Sequence, residues 1–134
     1  MQGWKQFFWG AAAYHWLVGI PLYLSPALMV DTVGGSVAAS DMALMKIIGA
    51  LLVCFGIVYA IVAHDPARFR PILWAGVIGK LGVALVFARD WLLGTIPWPT
   101  IALSLVDMSL VVIFLFFIFR RPLKSQLDAA ASAA

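Results

Sequence analysis

The chain has 134 residues, of which 64% are hydrophobic and 11% charged, with a formal net charge of +3 and no glutamate. A soluble domain of this size carries about 25% charge, so the composition excludes an ordinary soluble fold. The basic balance gives no reason to invoke nucleic acid, because the cations follow a topological pattern.

Four apolar stretches, 7–24, 42–63, 71–93 and 100–119, are each long enough to cross a hydrocarbon core of about 30 Å at about 1.5 Å per residue. They predict an all-α integral membrane four-helix bundle over residues 1–122, with 123–134 as a cytoplasmic tail. Lys5, Arg68, Arg70, Arg120, Arg121 and Lys124 fall on one side of a four-span arrangement, and Arg89 falls at the edge of the other. That bias predicts a multi-pass protein of the cell inner membrane with both termini cytoplasmic.

Span one opens on an aromatic, basic edge of Trp4, Lys5, Phe7, Phe8 and Trp9, residues suited to the headgroup level. It is longer than a signal-peptide core, carries His15 centrally and lacks a clear small-x-small cleavage site, so it reads as a retained span. Pro21 and Pro26 are expected to kink or stop it. The loop SPALMVDTVGGSVAAS follows, with Gly34 and Gly35 at its tip.

Ser40 is expected to cap span two, with Asp41 at its positive end. Cys54 lies inside this span and has no second cysteine to pair with. His64 stands at the end of the span, where a cation meets the negative helix terminus. The short turn DPARFRP makes spans two and three antiparallel neighbours, and Pro71 fits a first helical turn. Span three carries Gly76, Gly79 and Gly82, which would let another backbone approach closely. Span four begins near Pro99 and ends at Arg120-Arg121-Pro122. Its Phe114, Phe116, Phe117 and Phe119 are expected to meet lipid or partner helices on several sides.

The stretch KIIGALLVCFGIVYAIVAHDPARFRPILWAGVIGKLG, about a third of the chain, resembles the central hairpin of small bacterial four-helix membrane proteins of the DoxX-like kind. The shared features are glycines in an apolar helix, a short basic turn after Asp-Pro, and a second glycine-bearing helix. The resemblance implies a four-helix inner-membrane bundle and carries over no functional residues.

The candidate site is an intramembrane polar cluster of His15, Lys80, Asp107 and Lys46. A charge at a helix centre costs roughly 2.5–3.5 kcal/mol on insertion scales. Lys80 lies about 13 Å from the cytoplasmic start of its span and Asp107 about 18 Å from the cytoplasmic end of its own, a difference a lysine stem can bridge. Three readings stand: an ion pair that fixes helix register; a substrate, ion or proton site; or a snorkelling Lys80 beside a protonated Asp107. Lys46, about one turn inside the outer end of span two, either snorkels to the headgroups or competes for Asp107. His15 shares a face with Ala11 and Gly19, and is either a structural imidazole or part of a proton relay, quinone contact or cofactor site.

No metal site or cofactor is assigned. His15 lies about 12 Å above the edge where His64 stands, too far in depth for one bis-histidine haem. There is no HExxH, GxSxG, P-loop or paired-cysteine motif.

The leading functional expectation is a small inner-membrane protein without catalysis of its own, an accessory, assembly or scaffold subunit. Its partners would be the lipid bilayer, other membrane subunits or further copies of itself. The alternatives are a proton or small-molecule pathway, or a membrane-embedded enzyme on a lipid-soluble substrate, centred on His15, Lys80 and Asp107. Convergence of these three on a cavity would favour the alternatives. A lipid-facing His15 would leave the accessory reading.

Overall fold

The computed structural model describes residues 2–32, 34–96 and 98–120, with the backbone alone at Pro99, Thr100 and Leu103. Residues 121–134, which include Arg121 and the tail at 123–134 with Lys124, lie outside the described residues. Among those residues the structure is helical and contains no strand. Four long helices are α1 (Gln2–Leu24), α3 (Met42–His64), α4 (Leu73–Leu92) and α5 (Trp98–Phe119), with a short α2 (Pro26–Asp31) after α1. Two continuous helical segments, Ala39–His64 and Arg70–Leu92, are long and apolar enough to cross a membrane.

Pro26 and Pro71 sit where a missing N–H is harmless, and Pro21 does not. Pro26 opens α2, and Pro71 sits in a short 3-10 turn, Arg70–Ile72, that leads into α4. Pro21, expected with Pro26 to kink or stop α1, does not stop it. The helix continues to Leu24, and Ser25 N–H donates to the Pro21 carbonyl at 2.8 Å. The helix loses the bond that Pro21 cannot donate.

The expected Ser40 cap is also absent. A 3-10 turn at Ala39–Asp41 precedes α3, and the Ser40 hydroxyl donates to the Asp41 carboxylate at 3.1 Å instead. α4 ends at Gly94, whose φ of +71° lets the chain close a reversed turn. Leu93 N–H donates to Arg89 O and Gly94 N–H to Trp91 O there, as in a glycine-ended helix.

The closest packing pairs α1 with α3 and α4 with α5. The α1–α3 crossing is antiparallel and lies at Gly19 and Gly49. A Cβ on Gly49 would stand 2.5 Å from Tyr23 N and 2.9 Å from Gly19 O, so only hydrogen fits. Trp16 folds into the space over Gly56 and donates its indole N–H to the Val53 carbonyl at 3.2 Å. Small residues therefore set backbone proximity here.

α3 and α4 are antiparallel, as their short turn requires, but they meet mainly through side chains. Tyr59 lies against Gly76 and Phe55 approaches Gly79, while Gly82 faces open space. The expected close backbone approach along all three glycines does not occur. Large aromatic rings on α3 hold the two helices apart.

Aromatic rings join the two helix pairs. Phe8, Tyr59, Phe114 and Phe117 are almost fully buried, and Trp4 lies with its ring centroid 4.6 Å from that of Phe117. Phe116 and Phe119 remain 62% and 71% exposed, so the four phenylalanines of α5 divide between core and surface. At this end Arg70 donates to the Arg120 carbonyl at 2.8 Å and covers the Phe117 ring. It ties the last turn of α5 to the α3–α4 turn with a cation at a helix C-terminus.

The outer surface is apolar on several helices. Leu17, Ile78, Leu85, Val112 and Phe116 are all more than half exposed.

Candidate functional site

Polar side chains are buried where α1, α4 and α5 meet beside the aromatic core. His15 is buried on the α1 face shared with Ala11 and Gly19, all three of which are buried. Lys80 is buried on α4, one turn beyond Gly76. Asp107 is half-buried on α5.

The three form one chain of hydrogen bonds. Lys80 Nζ donates to Asp107 Oδ1 at 2.5 Å, an ion pair. The same ammonium lies 3.0 Å from His15 Nε2. His15 Nδ1 is 2.8 Å from the Ala11 carbonyl oxygen. A carbonyl can only accept, so Nδ1 carries the proton, and Nε2 is then free to accept from a charged Lys80. The order is Ala11 C=O, His15, Lys80 ammonium, Asp107 carboxylate, and the group is neutral as a whole. Pairing matters because a lone charge at this depth is costly, while a hydrogen-bonded pair compensates much of that cost.

A cavity of about 170 Å³ adjoins this chain. Its walls are Leu52, Phe55 and Tyr59 from α3 and Gly79 and Val83 from α4, and its polar side is His15, Lys80 and Asp107. Gly79 and Val83 are exposed on the outer face of the fold, and Leu52 and Phe55 are half-buried. The cavity therefore opens sideways through the α3–α4 seam, where backbone packing is sparse.

One unfilled valence borders it, and a second lies buried beside it. Asp107 engages its partner through Oδ1 alone, and its side chain is 24% exposed. Tyr59 is fully buried, its ring 4.8 Å from that of His15, and its hydroxyl has no hydrogen-bond partner among the described residues. Most buried hydroxyls are satisfied, which makes this one notable. Tyr59 was not singled out from the sequence. The available signal was a tyrosine mid-way along an apolar helix, away from the headgroup level where tyrosine is ordinarily placed.

Of the sequence-derived candidates, His15, Lys80 and Asp107 come together and Lys46 does not. Lys46 is exposed on α3 and lies outside both the cavity lining and the Lys80–Asp107 pair. It cannot compete for Asp107, because α3 turns that face outward. His64, at the end of α3, is exposed and belongs neither to the cavity lining nor to the hydrogen-bonded chain. Among the described residues no three His, Cys, Asp or Glu side chains are grouped to hold a metal ion.

The arrangement can hold a proton-bearing polar group at the inner end of an apolar pocket reached from the side. No family model, curated protein or solved structure matches this chain. The functional reading therefore rests on this geometry.

Proposed function

We propose that the chain is a four-span inner-membrane protein with both termini cytoplasmic, and that its cavity binds a small lipid-soluble molecule. The four long helices have 23, 23, 20 and 22 residues, or about 30–35 Å each, which matches a hydrocarbon core. Exposed Leu, Ile, Val and Phe cover their outer faces. In water such a continuous apolar surface would drive aggregation; in a bilayer it is solvated. The cytoplasmic placement of the α3–α4 turn follows from Arg68, Arg70 and Arg120 gathering at one end.

The observation that carries the binding reading is the convergence of His15, Lys80 and Asp107 on a cavity. A purely structural ion pair needs no void beside it, since packing the space would gain dispersion and exclude lipid. The sideways mouth between α3 and α4 favours entry from the bilayer. We therefore rank a small-molecule site ahead of the accessory-subunit reading.

The test compares organic extracts of purified wild-type protein and a Lys80→Met/Asp107→Leu variant by mass spectrometry. Replacing both partners with apolar groups is often tolerated in folding, so the variant is expected to fold. A lipid-soluble molecule should be enriched with wild type and absent from the variant. Identical extracts from two folded proteins would refute the binding reading and return the accessory subunit to first place.

A further inference from the structure

The volume, charge and open valences of the cavity restrict what can occupy it. We infer that the occupant is a neutral, single-ring aromatic head bearing a hydroxyl group, carried on an apolar tail. This rests on the cavity-binding reading above and specifies its ligand class.

Size comes first. The cavity holds about 170 Å³, and an apolar protein cavity of roughly 150 Å³ admits one benzene ring. One six-membered ring fits. The rings of Phe55 and Tyr59, which line one wall, offer faces and edges against which an aromatic ring packs well. The tail has an exit between Phe55 on one side and Gly79 and Val83 on the other. A Cβ on Gly79 would meet only the tip of Phe55, at 3.4 Å, so this rim is thin and apolar.

Charge comes second. Lys80 and Asp107 neutralise one another at 2.5 Å, and His15 accepts from the same ammonium. A carboxylate or phosphate head would find no unpaired cation in the cluster, and an ammonium head no unpaired anion. Either would bury an uncompensated charge. A neutral head carries no such cost.

Hydrogen bonding comes third. Asp107 Oδ2 accepts no bond among the described residues, and its side chain remains partly accessible beside the cavity. A carboxylate oxygen can only accept, so the ligand must bring a donor. One N–H of Lys80 has no partner among the described residues, so the ligand oxygen that donates to Asp107 has a donor available in return. A hydroxyl serves both needs with one oxygen. An ether or a bare ring does not.

The experiment measures equilibrium binding of four alkylbenzene probes to the full chain in nanodiscs, corrected for partition into empty nanodiscs. The probes are 4-octylphenol, 4-octylanisole, octylbenzene and 4-octylbenzoate, which share ring and tail. A hydrogen bond to a charged acceptor predicts that 4-octylphenol binds at least about tenfold more tightly than the other three. In the Lys80→Met/Asp107→Leu variant 4-octylphenol and octylbenzene should bind alike.

Equal binding of all four probes to wild type would overturn the hydroxyl inference and leave the cavity reading standing. Anisole matching phenol would overturn the donor requirement. Preference for benzoate would overturn the neutral head. Absence of specific binding by every probe would overturn the inference together with the reading beneath it.

Discussion

Lys80 and His15 lie 65 positions apart in the chain, yet their side-chain nitrogens stand 3.0 Å from one another. The contact links α4 to α1, two helices whose backbones are not close neighbours. It makes the Lys80–Asp107 pair the centre of a three-helix polar junction instead of a local clasp between α4 and α5. Loss of one member therefore strands the others, and the energetic consequences can be measured.

Removing the carboxylate alone should be the more damaging change at the pair. Asp107→Asn leaves a buried ammonium without its counter-ion, and breaking one partner of a buried pair costs about 3–5 kcal/mol in soluble proteins. The Lys80→Met/Asp107→Leu double variant should recover most of the folded yield. Thermal melts in detergent check this. A single variant as stable as wild type would mean the pair contributes nothing to the fold.

Tyr59→Phe should stabilise the empty protein. The Tyr59 hydroxyl is fully buried without a partner, and an unsatisfied buried polar group costs about 1–3 kcal/mol. Deleting that oxygen keeps the ring between His15 and Phe114. A rise in melting temperature for ligand-free protein is the expected result. A clear fall would show that the hydroxyl already has a partner in the empty state.

Gly49 and Gly82 should respond oppositely to alanine. A Cβ on Gly49 meets the backbone of Tyr23 and Gly19, which cannot move aside without separating α1 from α3. Overpacking of this kind costs about 1–3 kcal/mol. Gly82 has nothing within 4 Å of its Cβ position, so Gly82→Ala should be neutral or stabilising by about 0.5–1 kcal/mol through helix propensity. Melting temperatures of the two variants decide it.

Topology is tested by enzyme fusion. Alkaline phosphatase joined after Leu127 is active only outside the cytoplasm, and the basic residues at 68, 70 and 120 predict that this end stays inside. No phosphatase activity is expected there, and fusion within the loop at Gly35 should give high activity. The reverse pattern would exclude the proposed orientation.

Much of this protein is determined by its sequence alone. The apolar runs and their polar punctuation mark the ends of the long helices to within two residues, except that α1 begins five residues before its apolar run, because helix boundaries depend on local signals such as Gly94, Pro26 and the Asp65–Pro66 turn. His15, Lys80 and Asp107 were legible as a candidate cluster because hydrocarbon solvates none of them, so each needed a partner.

Which faces turn inward was decided by the tertiary structure. When nearly every residue of a helix is apolar, periodicity no longer separates core from surface. Phe114 and Phe117 enter the core while Phe116 and Phe119 stay outside, although all four are the same residue in one helix. Shape complementarity makes the choice: glycine against backbone brings α1 to α3, and bulky Phe55 and Tyr59 hold α4 away. The cavity, its sideways mouth and the unpartnered Tyr59 hydroxyl follow from that spacing. None is written in any single helix, because a void is a property of how separate surfaces fail to meet.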